Sequence, residues 1–227
     1  MNLLAIETAT ETCSVALSMN GDVQQLFKHA PRQHAELILP WVKQLLAEAE
    51  IGFAAVDAIA FSRGPGSFTS LRIGIGVVQG LAWASECPVI PVSSLAATAQ
   101  AATEQGITSA LVALDARMNE VFTGLFRLND NGIMTAVDQE RVCGPELVQV
   151  PDVADTYAVG IGFERYPELD DLAAGLAGVR TDTWPDASSI LKLAQEWLLT
   201  NKALPAELAQ PVYLRDNVAQ KSKPRIV

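Results

Sequence analysis

Histidine is almost missing from this chain: His29 and His34 are the only two among 227 residues. With so few imidazoles, a Ser-His-Asp triad has little to draw on. The two lie five apart, about 140° around a helix, so they share no metal-binding face and read as surface or capping residues. Cysteine is scarce too. Cys13, Cys87 and Cys143 are an odd, scattered set with no Cys-x-x-Cys pair, which argues against a disulfide framework or a zinc site and for a reducing, cytoplasmic compartment. No apolar run approaches the roughly 18 residues of a membrane span, and the opening MNLLAIETAT lacks the basic flank and apolar core of a signal peptide. Cations are also few, 16 Lys and Arg against 26 Asp and Glu, for a formal net charge of −10. Affinity for nucleic acid rests largely on Lys and Arg displacing counterions, so the chain is not expected to grip a phosphate backbone unaided. The end, YLRDNVAQKSKPRIV, is a local exception, with Arg215, Lys221, Lys223 and Arg225 set against Asp216. It reads either as a solvated terminus or as a contact for an acidic partner or RNA.

What is present describes a folded α/β protein. Hydrophobic residues make up 49% and charged ones 19%, enough for a sizeable core. Residues 1–28 predict three short strands, the second turning into the third through Asn20-Gly21, where both positions accept positive φ. A helix is expected from about Gln33 to Glu50, then a strand, a glycine-rich loop, a helix to about Ser85, a strand and a helix from Ser94. Past Gly106 the order restarts, with a hairpin around Arg117-Met118-Asn119, a turn at 129–132, an apolar run TYAVGIG and a helix from about Asp186 to Thr200. Two βββαβα-type halves, 1–105 and 106–227, predict a duplicated α/β fold with a cleft between them.

The glycine-rich loop, SRGPGSFTSLRIGIG at 62–76, matches no phosphate-loop pattern. No lysine lies between Lys43 and Lys192, and a dinucleotide fingerprint would need glycine where Thr69 stands. Gly64, Gly66 and the N-cap candidate Ser67 leave two readings open, an anion site at a helix N-terminus or a tight, closely packed turn. The following helix carries Ile73, Gly76, Val77, Gly80 and Ala84 on one narrow stripe, with Leu71, Ile75, Val78 and Ala82 opposite. In the preceding helix, Ile38, Trp41, Val42, Leu45 and Ala49 centre an apolar arc of about 200°, twice what one burial partner needs. Either the two helices pack on each other inside the monomer, or the pair forms a surface for a protein partner.

The segments LLAIETATETCSVAL, SRGPGSFTSLRIGIGVVQGLA, PVIPVSSLAA, LDARMNEVF and PVYLR together resemble the TsaB (YeaZ) family of bacterial tRNA threonylcarbamoyladenosine biosynthesis proteins, from Leu3 to Arg215. The resemblance implies a duplicated actin/Hsp70/sugar-kinase-like (RNase H-like) fold, paralogous to the transferase TsaD. TsaD follows the strand equivalent to PVIPV with a histidine-rich, metal-ligating block. Here Ser93, Ser94 and Thr98 stand in that stretch, and their hydroxyls are poor substitutes for imidazole. By the same likeness a vestigial nucleotide or anion site would involve Glu7, Thr8, Thr10, Gly64, Gly66, Ser67, Asp115, Gly160 and Gly162. The first hairpin lacks the glycines that let a backbone approach phosphate closely.

The resemblance thus implies a non-catalytic scaffold with no metal or cofactor of its own. It would dock and activate TsaD through Ile38, Trp41, Val42, Leu45, Ile73, Gly76, Val77, Gly80 and Ala84, and homodimerise through the same face when alone. TsaD and the ATPase TsaE would hold ATP and metal, and tRNA would be met only indirectly, through the complex. The alternative is a stand-alone ATPase or small-molecule kinase using Glu7 or Asp115 to position magnesium. A glycoprotease, as older family labels suggest, lacks a nucleophile–base pair.

Overall fold

The computed structural model describes residues 1–150 and 155–215. The first half runs β1 (Leu3–Glu7), β2 (Thr12–Met19), β3 (Asp22–His29), α1 (His34–Glu48), β4 (Ala58–Gly64), α2 (Phe68–Ala84), β5 (Val89–Ser93) and α3 (Ser94–Ala102), the order expected from the sequence. The second continues with β6 (Ser109–Arg117), β7 (Glu120–Leu128), β8 (Met134–Ala136), β9 (Arg141–Cys143), β10 (Tyr157–Val159), α4 (Gly162–Arg165), α5 (Asp170–Ala174), β11 (Gly178–Arg180) and α6 (Ala187–Leu198).

Both hairpin signals form. Asn20 and Gly21 turn β2 into β3 with φ of 54° and 93°, and Arg117, Met118 and Asn119 take φ of 62°, 56° and 57° between β6 and β7. The first sheet has the order β3-β2-β1-β4-β5; the second is β11-β10-β6-β7-β8, with β9 also on β7. Each sheet places an antiparallel hairpin, β1–β2 or β6–β7, beside a parallel strand, β4 or β10. That repetition is the duplicated actin-like architecture, written in hydrogen bonds. The halves differ in their helices. Where the first has α1, the second has, among the described residues, a single 3-10 turn at Pro145–Leu147.

Side-chain alternation assigns each sheet an outer and an inner face. On the first sheet, Leu4, Ile6, Val15, Leu17, Ile59 and Phe61 face α1 and α2, while Leu3, Ala5, Ala16, Ala58 and Ala60 face α6. On the second, Leu111, Ala113, Val121 and Leu125 face Phe163 and Leu169, and Val112, Leu114, Phe122 and Phe126 face α3. The helix ending the first half therefore lies on the second sheet, and α6, from the second half, lies on the first. The 105/106 division separates the sheets but not the cores. Both helices start at capping side chains: Ser93 Oγ accepts from Leu95 N and Ala96 N at 3.1 and 3.2 Å, and Asp186 Oδ1 accepts from Ser189 N at 2.8 Å.

After α6 the chain returns to the glycine loop, where Val212 N donates to Arg63 O at 2.8 Å and Leu214 packs against the second core. Of the expected basic end, Arg215 is described; Lys221, Lys223 and Arg225 lie outside the described residues.

Candidate functional site

The duplication sets the two hairpins face to face across the cleft. Gly66 packs on the first hairpin, where a Cβ would stand 2.3 Å from Ala9 O; Gly162 packs on the second, where a Cβ would stand 2.8 Å from Ala113. Two residues beyond each alanine stands a carboxylate, Glu11 and Asp115. Both grip one arginine from α4. Arg165 Nη2 donates to Glu11 Oε1 and Oε2 at 2.8 and 2.9 Å, and Nη1 donates to Asp115 Oδ2. Arg117 completes the cluster, 3.0 Å from Asp115 Oδ2 and 3.4 Å from Glu11 Oε1. Tyr166 OH and Arg117 N each donate to Asp115 Oδ1 at 2.7 Å.

These contacts tune the carboxylates. The Arg165 hydrogen bond, reinforced by Arg117 and His29, outweighs partial burial and holds Glu11 below the usual carboxylate range. Burial pushes Asp115 up, but the Tyr166, Arg117 and Arg165 hydrogen bonds together bring it below its ordinary value. Between the hairpins lies a void of about 40 Å³, lined by Thr10, Glu11, Asp115 and Arg165 among others. The larger opening, about 780 Å³, lies at the cleft mouth beside the first turns of α1 and α2.

Of the residues expected at a vestigial nucleotide site, Thr10 and Asp115 meet in this cleft. Ser67 caps α2, accepting from Ser70 N at 3.5 Å, and lines the cleft mouth with Thr10. Glu7, Thr8, Gly64, Gly160 and Gly162 lie beneath the surface, which corrects their assignment to a ligand-facing site, and Gly66 is half-buried at the edge of a cavity beside Asp115. Thr8 is buried, its Oγ1 donating to Ser70 O at 3.1 Å. Gly64 faces Val212 O, while Gly66, Gly160 and Gly162 pack against backbone of the hairpin strands. The glycine loop is thus a tightly packed turn. Glu7 is fully buried: Ala9 N donates to its Oε1, while Oε2 has no hydrogen-bond partner among the described residues. Burial pushes its carboxyl up from 4.5 to about 7 despite the bonds from Ala9 and Ser62. Arg165 and Tyr166 gave no sequence signal, since Arg165 meets Glu11 across 154 positions.

The stretch compared above with a metal-ligating block is committed to helix structure. Ser93 Oγ caps α3 and donates to Glu140, and Thr98 Oγ1 donates to Ser94 O at 2.8 Å. Among the described residues no three His, Cys, Asp or Glu side chains gather as a metal-binding group.

The α1–α2 face separates into an inner and an outer set. Ile38, Val42 and Leu45 are fully buried on the first sheet, so they cannot contact a partner; this corrects their place in the expected surface. Trp41, Ile73 and Val77 are half-buried, and Gly76, Gly80 and Ala84 are exposed. The glycine required inside the chain is Gly74, where a Cβ would stand 2.2 Å from Thr8 Oγ1. At Gly76 and Gly80 a Cβ would meet none of the described residues within 4 Å. Beside this stripe Trp83 is 73% exposed, and a groove of about 540 Å³ runs past it between α2 and Ala206-Glu207.

The family model for TsaD, tRNA N6-adenosine threonylcarbamoyltransferase, matches residues 28–223. The tRNA threonylcarbamoyladenosine biosynthesis protein TsaB of Escherichia coli is 40% identical over 228 residues, covering 99% of both chains, and that of Haemophilus influenzae is 39% identical, covering 99% of this chain and 98% of its own. YeaZ from Pseudomonas aeruginosa superimposes with a TM-score of 0.86 at 44% identity, covering 94% of this chain and 99% of that one. The transferase of Streptococcus uberis matches more narrowly, 32% identical over 45% of this chain and 36% of its own.

Proposed function

This chain belongs to the TsaB family and takes part in the biosynthesis of threonylcarbamoyladenosine in tRNA, and from that premise we propose that it acts as a non-catalytic subunit that docks and activates a TsaD-type transferase. The observation that carries the reading is the outer face of α2. Gly76 and Gly80 each cost the helix roughly 1 kcal/mol relative to alanine, yet no neighbour among the described residues requires them. A partner helix seated on Gly76, Gly80 and Ala84, flanked by Trp41, Ile73, Val77 and Trp83, supplies the close packing that offsets this cost. The same face joins two copies of the chain when the partner is absent.

The closed cleft supports the non-catalytic part. A stand-alone ATPase would need phosphate between the hairpins, where Arg165 already holds Glu11 and Asp115. ATP and metal are accordingly assigned to the TsaD- and TsaE-type partners, and transfer of the threonylcarbamoyl group to the adenosine beside the anticodon of ANN-decoding tRNAs occurs on the transferase.

Reconstitution tests the reading. The transferase, the ATPase, threonylcarbamoyl-adenylate, ATP and unmodified tRNA are combined with and without this chain, and modified adenosine is scored by nucleoside chromatography. Modification over many turnovers is expected only with the chain present; equal turnover without it would remove the proposed role. Gly80→Leu is expected to leave a folded protein and to weaken transferase binding at least tenfold by calorimetry. Unchanged affinity would move the interface elsewhere.

A further inference from the structure

One face of this acidic chain carries the opposite charge. Arg32, held at φ of 66°, and Arg117 line the large opening at the cleft mouth. Arg117 also lines an adjoining cavity of about 180 Å³ with Phe68, Tyr213 and Arg215. At its rim the Arg72 guanidinium lies 3.9 Å from the Phe68 ring centroid and donates from Nε to Tyr213 OH at 3.1 Å. The Phe68 and Tyr213 rings stand 5.6 Å apart, tilted by 33°, and are 49% and 43% exposed. With Arg165 this makes five arginines; among the described residues the carboxylates paired with them are three, Glu11, Asp115 and Glu120.

We propose that the Arg32–Arg117–Arg215 face, with the Arg72–Phe68–Tyr213 stack at its rim, is an RNA contact surface that takes backbone phosphates on the arginines and an unpaired base on the exposed rings. The inference rests on the placement of this chain in a tRNA-modifying assembly. It amends the expectation, implied by the resemblance, that tRNA is met only through other subunits. Charge complementarity selects the occupant. The cationic excess is local, on a chain whose net charge is −10, and planar arginine beside open aromatic rings is the combination that stacks bases while neutralising phosphate. Hydroxyls of the N-cap Ser67 and of Thr69 at the start of α2 add donors at the same opening. An acidic peptide would match the arginines but leave both rings without a counterpart. Repulsion from the acidic remainder of the chain makes this a supplementary contact, strong only when a partner already holds the RNA.

The test is equilibrium binding of unmodified tRNA to the full chain, alone at low salt and assembled with its transferase partner over a salt series. Assembly is scored separately by size-exclusion chromatography. Arg72→Glu with Tyr213→Ala is expected to weaken tRNA binding by the assembly roughly tenfold and to make its salt dependence shallower by about one charge. Lys192→Glu, on α6 across the first sheet, is the matched charge control and should leave both unchanged. Unchanged tRNA affinity with intact assembly would overturn the surface and leave the docking reading standing. An equal loss in Lys192→Glu would reduce the effect to bulk charge and overturn it. Loss of transferase binding in the double variant, with tRNA binding retained, would make this a protein interface. Displacement of tRNA by free ATP at comparable concentration would make it a mononucleotide site. If the wild-type chain forms no assembly, the docking reading is what fails. Binding to the chain alone, with Phe68→Ala beside the double variant, then decides the RNA surface.

Discussion

The two lobes share one strand plan and dress it differently. The first sheet carries α1 and α2, of 15 and 17 residues, on its outer face; the second carries α4 and α5, of 4 and 5 residues. The contacts that close each hairpin are held in common, with Gly66 on Ala9 and Gly162 on Ala113. Two residues before those alanines the lobes part again, into buried Glu7 and buried Leu111. Duplication therefore preserves what the cleft needs, and the outer helices are free to differ. The long helices of the first lobe leave exposed glycines and a bare tryptophan, whereas the short ones of the second are used up covering their own sheet.

Six substitutions test that comparison, beginning with the largest expected effect. Ile190→Asp places a charge on the α6 face against the first sheet and should cost more than about 4 kcal/mol, abolishing the cooperative unfolding transition in urea. Leu172→Asp, on half-buried α5, should cost less than half as much; equal costs would mean the lobes depend alike on their helices. Gly66→Ala should cost about 3 kcal/mol and Gly162→Ala slightly less, following their closest approaches.

Glu7→Gln tests the buried acid. Because its folded value is raised from 4.5 to about 7, the folded state keeps a proton that the unfolded chain has lost between those values. Wild-type stability should therefore fall as pH rises from 4.5 to about 7. The glutamine variant should lack that decline and gain on the order of 2 kcal/mol over wild type at pH 8. A wild-type denaturation midpoint that is flat across this range would refute the raised value. Arg165→Ala is the mildest, at about 1–2 kcal/mol near neutral pH, through loss of the bridge between hairpins. Since Glu11 and Asp115 are both held low, their contribution is present above their unfolded values and disappears as pH falls below about 4. The variant and wild type should converge there.

Local signals account for what the sequence made readable. Asn20-Gly21, the polar cluster at 117–119 and the capping side chains of Ser67, Ser93 and Asp186 act within a few residues, so they fixed hairpins and helix starts. Strands of three residues, β8, β9 and β11, are too short to leave a period, and α4 and α5 too short to leave an amphipathic face. The wide apolar arc of α1 indicated two burial partners, but it could not say that Ile38, Val42 and Leu45 are consumed by the chain's own sheet. The Arg165 clamp was invisible for a different reason: its partners, Glu11 and Asp115, come from hairpins in separate halves, and no spacing rule links them.

The placement of α6 also bears on how the protein is born. The first sheet is threaded by residue 93, yet its inner face, apart from the part that α3 covers at Ala97, stays uncovered until residues 187–198 leave the ribosome. Roughly 90 further residues must be translated, which at about 5–20 residues per second leaves that apolar face waiting for some 5–20 s. An amino-terminal lobe ordinarily folds while the rest is still being made. Here the last helix is the latch, and a nascent chain stalled before it would be a natural client for a chaperone.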